Sequence, residues 1–396
     1  MRRILISAVI ILTTGMVLLL STIYLEAMDA RESEIANVSG VKNSADSDEG
    51  TTETTIVEAV TESEVMESEE NILSQVPSTE VTNATTTLIF GGDVYLSPYV
   101  LDNYDSQGIQ GVVSEEILSR LQTADIVMVN QEFPFGTKGE KAPDKQYTFR
   151  VDPAYTSLLQ DLSVDIVSLA NNHVLDYGTV VLEENFAALD EEGILYAGAG
   201  STYERARELI TVEKNGTVFG FLAASRVLPV VSWNAENQVP GVFSTYDKTA
   251  LVESIEQAVT KCDHLTVFVH WGIERETQPQ AYQTELAHSY IDAGADLVIG
   301  AHPHVLQGIE YYEGKPIFYS LGNFIFNSTI ESTMLLEITV DQKGSSSAEI
   351  LPAKATNATT ILMDEQQQNT LNETLQSISF GTVRIEENFV LNDLML

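Results

Sequence analysis

Six short apolar runs punctuate the chain, and each stops at side chains able to bind a metal or a proton. They are LIFGGD at Asp93, IVMVNQE at Glu132, DIVSLANNH at Asn172 and His173, TVFVHWGIE at His270 and Glu274, LVIGAHPH at His302 and His304, and FYSLGNF at Asn323. Runs of this length bounded by Gly or Asn predict strands buried on both faces. Between them the spacing predicts helices over Val112–Leu121, Ala154–Asp161, Val180–Glu192, Leu251–Thr260 and Gln283–Ala293, with Gly193 and Gly294 as stops. Residues 217–225, TVFGFLAAS, read as a further strand. From Met334 the alternation in LLEITVD and AEILPAKA predicts antiparallel strands, followed by a helix near Asp364–Ser377 and a last strand near Thr382–Glu386. Alternating strands and helices make an α/β fold with a largely parallel sheet. Ligands gather beyond the carboxyl ends of such strands, so the six endings predict one shared site.

The first 85 residues read differently. Arg2 and Arg3 precede an apolar stretch from Ile4 to about Leu25, long enough for a bilayer core of roughly 30 Å. Residues 1–28 are therefore expected to be a transmembrane signal-anchor with the remainder extracellular; cleavage after Ala27 or Ala30 is the alternative. Residues 29–85 carry fourteen acids against Arg31 and Lys42, a net of −12, and almost no aromatic side chains. Such a segment is expected to be a disordered acidic linker spanning on the order of 40 Å.

Charge and cysteine content then remove whole classes of function. With +1 for residues 1–28, residues 86–396 keep −27 of the chain's −38, which argues against nucleic acid as a partner. Cys262 stands alone, so no intramolecular disulfide and no cysteine-based zinc site can form.

The motif residues suit divalent transition-metal ions such as zinc, iron, manganese or nickel. His302 and His304 flank Pro303, and on extended backbone their imidazoles share a side; Asp93 and Glu132 add carboxylates. A mixed nitrogen and oxygen set of this kind tends to hold two ions about 3.5 to 4 Å apart around a hydroxide that is nucleophilic at neutral pH. His264 and His288 are expected not to be ligands. A helix cap is the alternative role for Asn172, Asn323 serves equally as a turn residue or a substrate contact, and Arg150 equally as a carboxylate partner or a structural ion pair.

In order and spacing, GGDVYL, NQEFPF, LANNHVLDYG, HWGIE, GAHPHVLQG and YSLGNFIF resemble the signatures of the bacterial CapA family of poly-gamma-glutamate capsule synthesis, over roughly residues 86–327. The resemblance implies a domain related to calcineurin-like metallophosphoesterases, a four-layer α/β/β/α sandwich with metal at one edge. It places that domain over 86–335, with a β-rich extension over 336–396 packed on it. It makes Asp93, Glu132, Asn172, His270, His302 and His304 metal ligands for one or two ions of manganese, zinc or iron, and Glu132 the bridge. It makes His173 the acid for the leaving group, oriented by Asp176, with Glu274, Asn323 and Arg150 as substrate contacts. One departure stands out: phosphoesterases have Asp-x-His where this chain has Asp93 and Tyr95. The implied partners are a poly-gamma-glutamate-like envelope polymer or its membrane synthase subunits. Two functions follow as expectations, a metal-dependent hydrolase or transferase and a non-catalytic, metal-stabilised scaffold of the synthase.

Overall fold

A computed structural model describes residues 84–235 and 238–394. The expected anchor over 1–28 and nearly all of the expected linker lie outside the described residues. Among the described residues no helix is long and apolar enough to cross a membrane.

The first block of chain lays down β1 (Thr85–Val94), β2 (Ile126–Gln131), β3 (Ile166–Ser168) and β4 (Leu195–Ala197), paired side by side and all parallel. The next block contains β5 (Ala199–Gly200), β6 (Ile210–Lys214), β7 (Thr217–Ser225), β8 (Gly241–Val242), β9 (His264–His270), β10 (Leu297–Ala301), β11 (Ile309–Tyr312) and β12 (Lys315–Phe318). Six of these make a second sheet, in the order β11-β12-β10-β9-β7-β6, while β5 and β8 pair separately. The chain then returns to the first sheet with β13 (Asn323–Ile325), β14 (Thr329–Asp341), β15 (Ser346–Thr356), β16 (Thr359–Leu362), β17 (Val383–Ile385) and β18 (Val390–Asp393). β14 lies antiparallel to β1, from Thr85 opposite Asp341 to Phe90 opposite Leu336. The division expected between 335 and 336 therefore falls inside a strand that hydrogen-bonds to β1.

Side-chain alternation explains how the second sheet is covered. Phe219 and Phe221 of β7, Phe268 of β9 and Leu297 and Ile299 of β10 join one core with Leu88, Phe90, Met128 and Leu336 of the first sheet. Their neighbours Leu222, Val267, Val269 and Val298 point the other way, onto Leu251 and Ile255 of helix Thr249–Ala258 and Leu286 and Tyr290 of helix Ala281–Asp292. Both faces are dry, which is why the strands read as unbroken apolar runs. Each such side chain contributes about 1.5–3 kcal/mol by leaving water.

Element boundaries follow local chemistry. Helix Thr179–Glu192 stops where Gly193 turns left-handed (φ 69°). The helix expected from Val112 starts only at Glu115, because Val113 bridges to Thr360 and Ser114 takes the cap. The expected helix Ala154–Asp161 divides into a 3-10 turn, Pro153–Tyr155, and a short helix, Ser157–Asp161. A helix over Pro98–Gln107 and the hairpin β11–β12 are additions to the sequence reading.

Candidate metal centre

The strand ends converge. Asp93 is held at the end of β1 because β13 approaches closely: Asp93 donates its amide to the Gly322 carbonyl (2.9 Å) and stands in register with Asn323. A Cβ on Gly92 would sit 1.9 Å from that same carbonyl, so only glycine allows the approach. Glu132 follows β2, its amide bonded to the Val94 carbonyl (2.8 Å). His270 ends β9 and pairs in register with Ala301, the residue before His302.

His302 and His304 do not lie on extended backbone as expected. Both have positive φ, 98° and 58°, on either side of Pro303. A tight turn rather than a pleat brings both rings to the site, with centroids 5.9 Å apart. Non-glycine residues in this region cost of order 1–3 kcal/mol each and persist where surrounding structure holds them.

Glu132 is the hub. Its Oε1 lies 3.6 Å from His304 Nε2 and 3.9 Å from both His270 Nε2 and His173 Nε2. One group of donor atoms within 4.8 Å of one another comprises Glu132, His270 and His302; another comprises Asp93, Glu132 and His304. Asn172 Oδ1 is 2.9 Å from His270 Nε2. His304 Nδ1 lies 3.2 Å from Asp93 Oδ2 and 2.9 Å from Asn323 Oδ1. Glu274 is exposed, yet it groups with His302 and His304 within the same 4.8 Å.

Beside this cluster His173 is oriented by Asp176, whose Oδ2 is 2.6 Å from the ring Nδ1. The same oxygen accepts the Phe149 amide (2.7 Å). Phe149 then stacks on His173 at 4.2 Å, and Tyr95 on Phe149 at 3.9 Å. Tyr95 thus forms a wall rather than a ligand.

Burial sets the charges. It pushes the His302 imidazole down to about 3, reinforced by the charge of His304, and pushes His270 well below its ordinary value. Burial lowers His173 as well, against the pull of Asp176. His304 goes the other way: burial opposes its proton, but the carboxylates of Glu132 and Asp93 raise it to about 10. Burial and the neighbouring Asp93 charge push Glu132 well above the carboxylate range.

Several participants escaped the sequence reading. Asn130 donates to Asp93 Oδ1 (2.8 Å) and accepts from Asn171 (3.1 Å), which also donates to the Gln131 carbonyl (2.7 Å). Both asparagines are buried; Asn130 orients the Asp93 carboxylate, and Asn171 holds Asn130 in place. Lys145 ion-pairs with Asp176, bonds to the Asn172 carbonyl and lies 3.0 Å from His173 Nδ1. Arg150 is not brought to the cluster; it is exposed, stacks over Tyr177 at 4.1 Å and donates to the Lys138 carbonyl. His288 lies outside it too, 3.0 Å from Glu310, and His264 is buried at the start of β9.

A family model described as bacterial capsule synthesis protein PGA_cap matches residues 87–328. The PGA biosynthesis protein CapA of Bacillus subtilis is 28% identical over 312 residues, 77% of this chain and 81% of that protein. A probable polyglutamine synthesis accessory protein of Mycobacterium tuberculosis is 32% identical over 210 residues, covering 51% of this chain and 55% of its own. Among solved structures, a phosphatase from Mycoplasma pneumoniae aligns with a TM-score of 0.44 and 13% identity over 72% of this chain and 97% of its own, a likeness that carries no argument about chemistry.

Proposed function

This chain belongs to the bacterial capsule synthesis family whose model spans residues 87–328, and from that premise we propose a metal-dependent hydrolase or transferase acting on an anionic envelope polymer. The bond acted on is a phosphoester or an amide of a poly-gamma-glutamate-like chain, and the working partners are the membrane subunits that make the polymer. Arg2, Arg3 and the apolar stretch Ile4–Leu25 support a single-pass anchor with the folded residues extracellular.

One buried atom carries the reading. Among the described residues Glu132 Oε1 has no hydrogen-bond donor, although three imidazole Nε2 atoms stand within 3.9 Å, and the buried His270 Nδ1 and His302 Nδ1 likewise have no partners. An unfilled buried polar atom costs about 1–3 kcal/mol. A divalent ion suits carboxylate and neutral imidazole donors together, so these residues fit it. Asp93, Glu132, Asn172, His270, His302 and His304 would hold one or two such ions, with Glu132 shared. Bound metal would supply Lewis acidity and a water of lowered pKa.

The remaining work belongs to the protein. Asp176 orients His173 through Nδ1 and turns Nε2 toward Glu132; the ring protonated at both nitrogens is placed to give its Nε2 proton to a leaving oxygen or nitrogen. Lys145 neutralises Asp176, and the Phe149 and Tyr95 stack keeps water from one face of the imidazole.

A second reading rests on Tyr95, which stands where the third residue of Asp-x-His would add a ligand. With one donor fewer, the metal would hold the loops or bridge polymer carboxylates without chemistry. Metal-loaded protein assayed on bis(p-nitrophenyl) phosphate and on oligo-γ-glutamate separates the two. Metal-dependent turnover of either supports the enzyme; metal without turnover of both selects the scaffold.

A further inference from the structure

Arg226 directly follows β7, and its amide donates to the carbonyl of His270 (2.7 Å), so its backbone is tied to a strand that carries a candidate ligand. Its guanidinium lies over the ring of Tyr246 at 4.0 Å and within 5.3 Å of the centre of Tyr282. Among the described residues that guanidinium has no acidic partner and no hydrogen bond, in a chain with 58 acidic and 20 basic residues. Arg120, Arg205 and Arg384 each meet a glutamate. Solvation alone does not explain two aromatic rings holding a cation in place.

Tyr282 is itself fixed. Its hydroxyl accepts the Gly272 amide (2.9 Å), and a Cβ on Gly272 would lie 3.0 Å from Pro303 Cγ, between the two ligand histidines. Arg226 and Tyr282 are therefore each hydrogen-bonded to the segment that carries the candidate ligand His270. A guanidinium held on ring faces loses little further freedom when it pairs, and its planar fork matches a carboxylate or a phosphate.

We propose that Arg226, clasped by Tyr246 and Tyr282, is an oxyanion subsite beside the metal centre, binding a carboxylate or phosphate of the substrate other than the group that reacts. The inference rests on the reading of the site above and assigns its substrate a second negative group. Metal-loaded full-length protein titrated calorimetrically with oligo-γ-glutamate, and separately with linear polyphosphate, tests it. Arg226→Gln should weaken binding of one polyanion about tenfold and flatten its salt dependence, with metal content unchanged. Whichever polyanion loses affinity names the oxyanion. Arg226→Lys should recover part of the loss, and Tyr246→Ala, which leaves the charge in place, should lose part of it. If Arg226→Gln and Tyr246→Ala bind both polyanions as wild type does, the subsite is overturned while the metal centre stands. If wild type binds neither polyanion, the subsite is overturned as well. A wild-type protein that holds no metal yet still loses polyanion affinity on Arg226→Gln would instead overturn the proposed function alone.

Discussion

Glu132 Oε1 and His304 Nε2 face each other across 3.6 Å at the meeting point of two strand ends, one from each sheet, and among the described residues nothing donates a hydrogen bond to that carboxylate oxygen. A buried oxygen in that state is a defect unless a cation fills it.

Glu132→Gln should therefore act in opposite directions on the metal-free and metal-loaded protein. Burial and the charge of Asp93 hold the Glu132 carboxyl well above its ordinary range. With a folded-state value above the unfolded one, the ionised form weakens the fold at neutral pH, and the penalty is relieved as pH falls. The metal-free variant should melt higher than metal-free wild type at pH 7, while its affinity for manganese or zinc falls at least about tenfold, the effect of 1.4 kcal/mol. Calorimetric melts with and without a chelator read both.

Asp176→Asn removes the negative charge and one of the two acceptor oxygens that orient His173 and pair with Lys145, yet touches none of the six candidate ligands. Turnover should drop by about a hundredfold with metal content unchanged. Unchanged kcat would take the acid role from His173.

Glu184 offers a pH test away from the metal. It pairs with Lys138 Nζ (2.8 Å) and accepts the amides of Thr137 and Lys138 (3.0 Å each), which hold its carboxyl down to about 2. The folded value is depressed, so this stabilisation is complete above about pH 4.5 and is lost as pH falls through about 2. Between pH 5 and pH 2 the melting temperature of wild type should fall further than that of Glu184→Gln. Parallel curves would show that this loop anchor contributes nothing.

The strand endings were legible because strands dry on both faces leave apolar runs, and Asp93, Glu132 and His270 interrupt them abruptly. The split into two sheets followed only from the family resemblance, with its implied α/β/β/α sandwich, and not from the residues themselves. Nothing in β7 or β9 marks which partner strand they take, and β14 returns to β1 only through long-range pairing. Asn130 hid inside an apolar run, where a polar residue reads as the other strand face. Lys145 sits in a loop with Lys138 and Lys141, and a cluster of lysines reads as solvated surface; only its contact with Asp176 makes it part of the site. The turn through His302 and His304 was hidden because φ near 98° is rare for histidine and is imposed by the fold. The β11–β12 hairpin turns at Glu313 and Gly314, both at positive φ, a pair less telling than Asn-Gly.

The central claim is joint coordination of divalent metal by side chains from distant strand ends. It is tested most directly by the metal content of purified full-length protein, wild type against the double variant His302→Ala and His304→Ala, measured by mass spectrometry after equilibration with manganese or zinc. Wild type should retain one or two ions per chain and the folded double variant none. A double variant that keeps the wild-type metal content, or a wild type that retains no ion, would contradict the account.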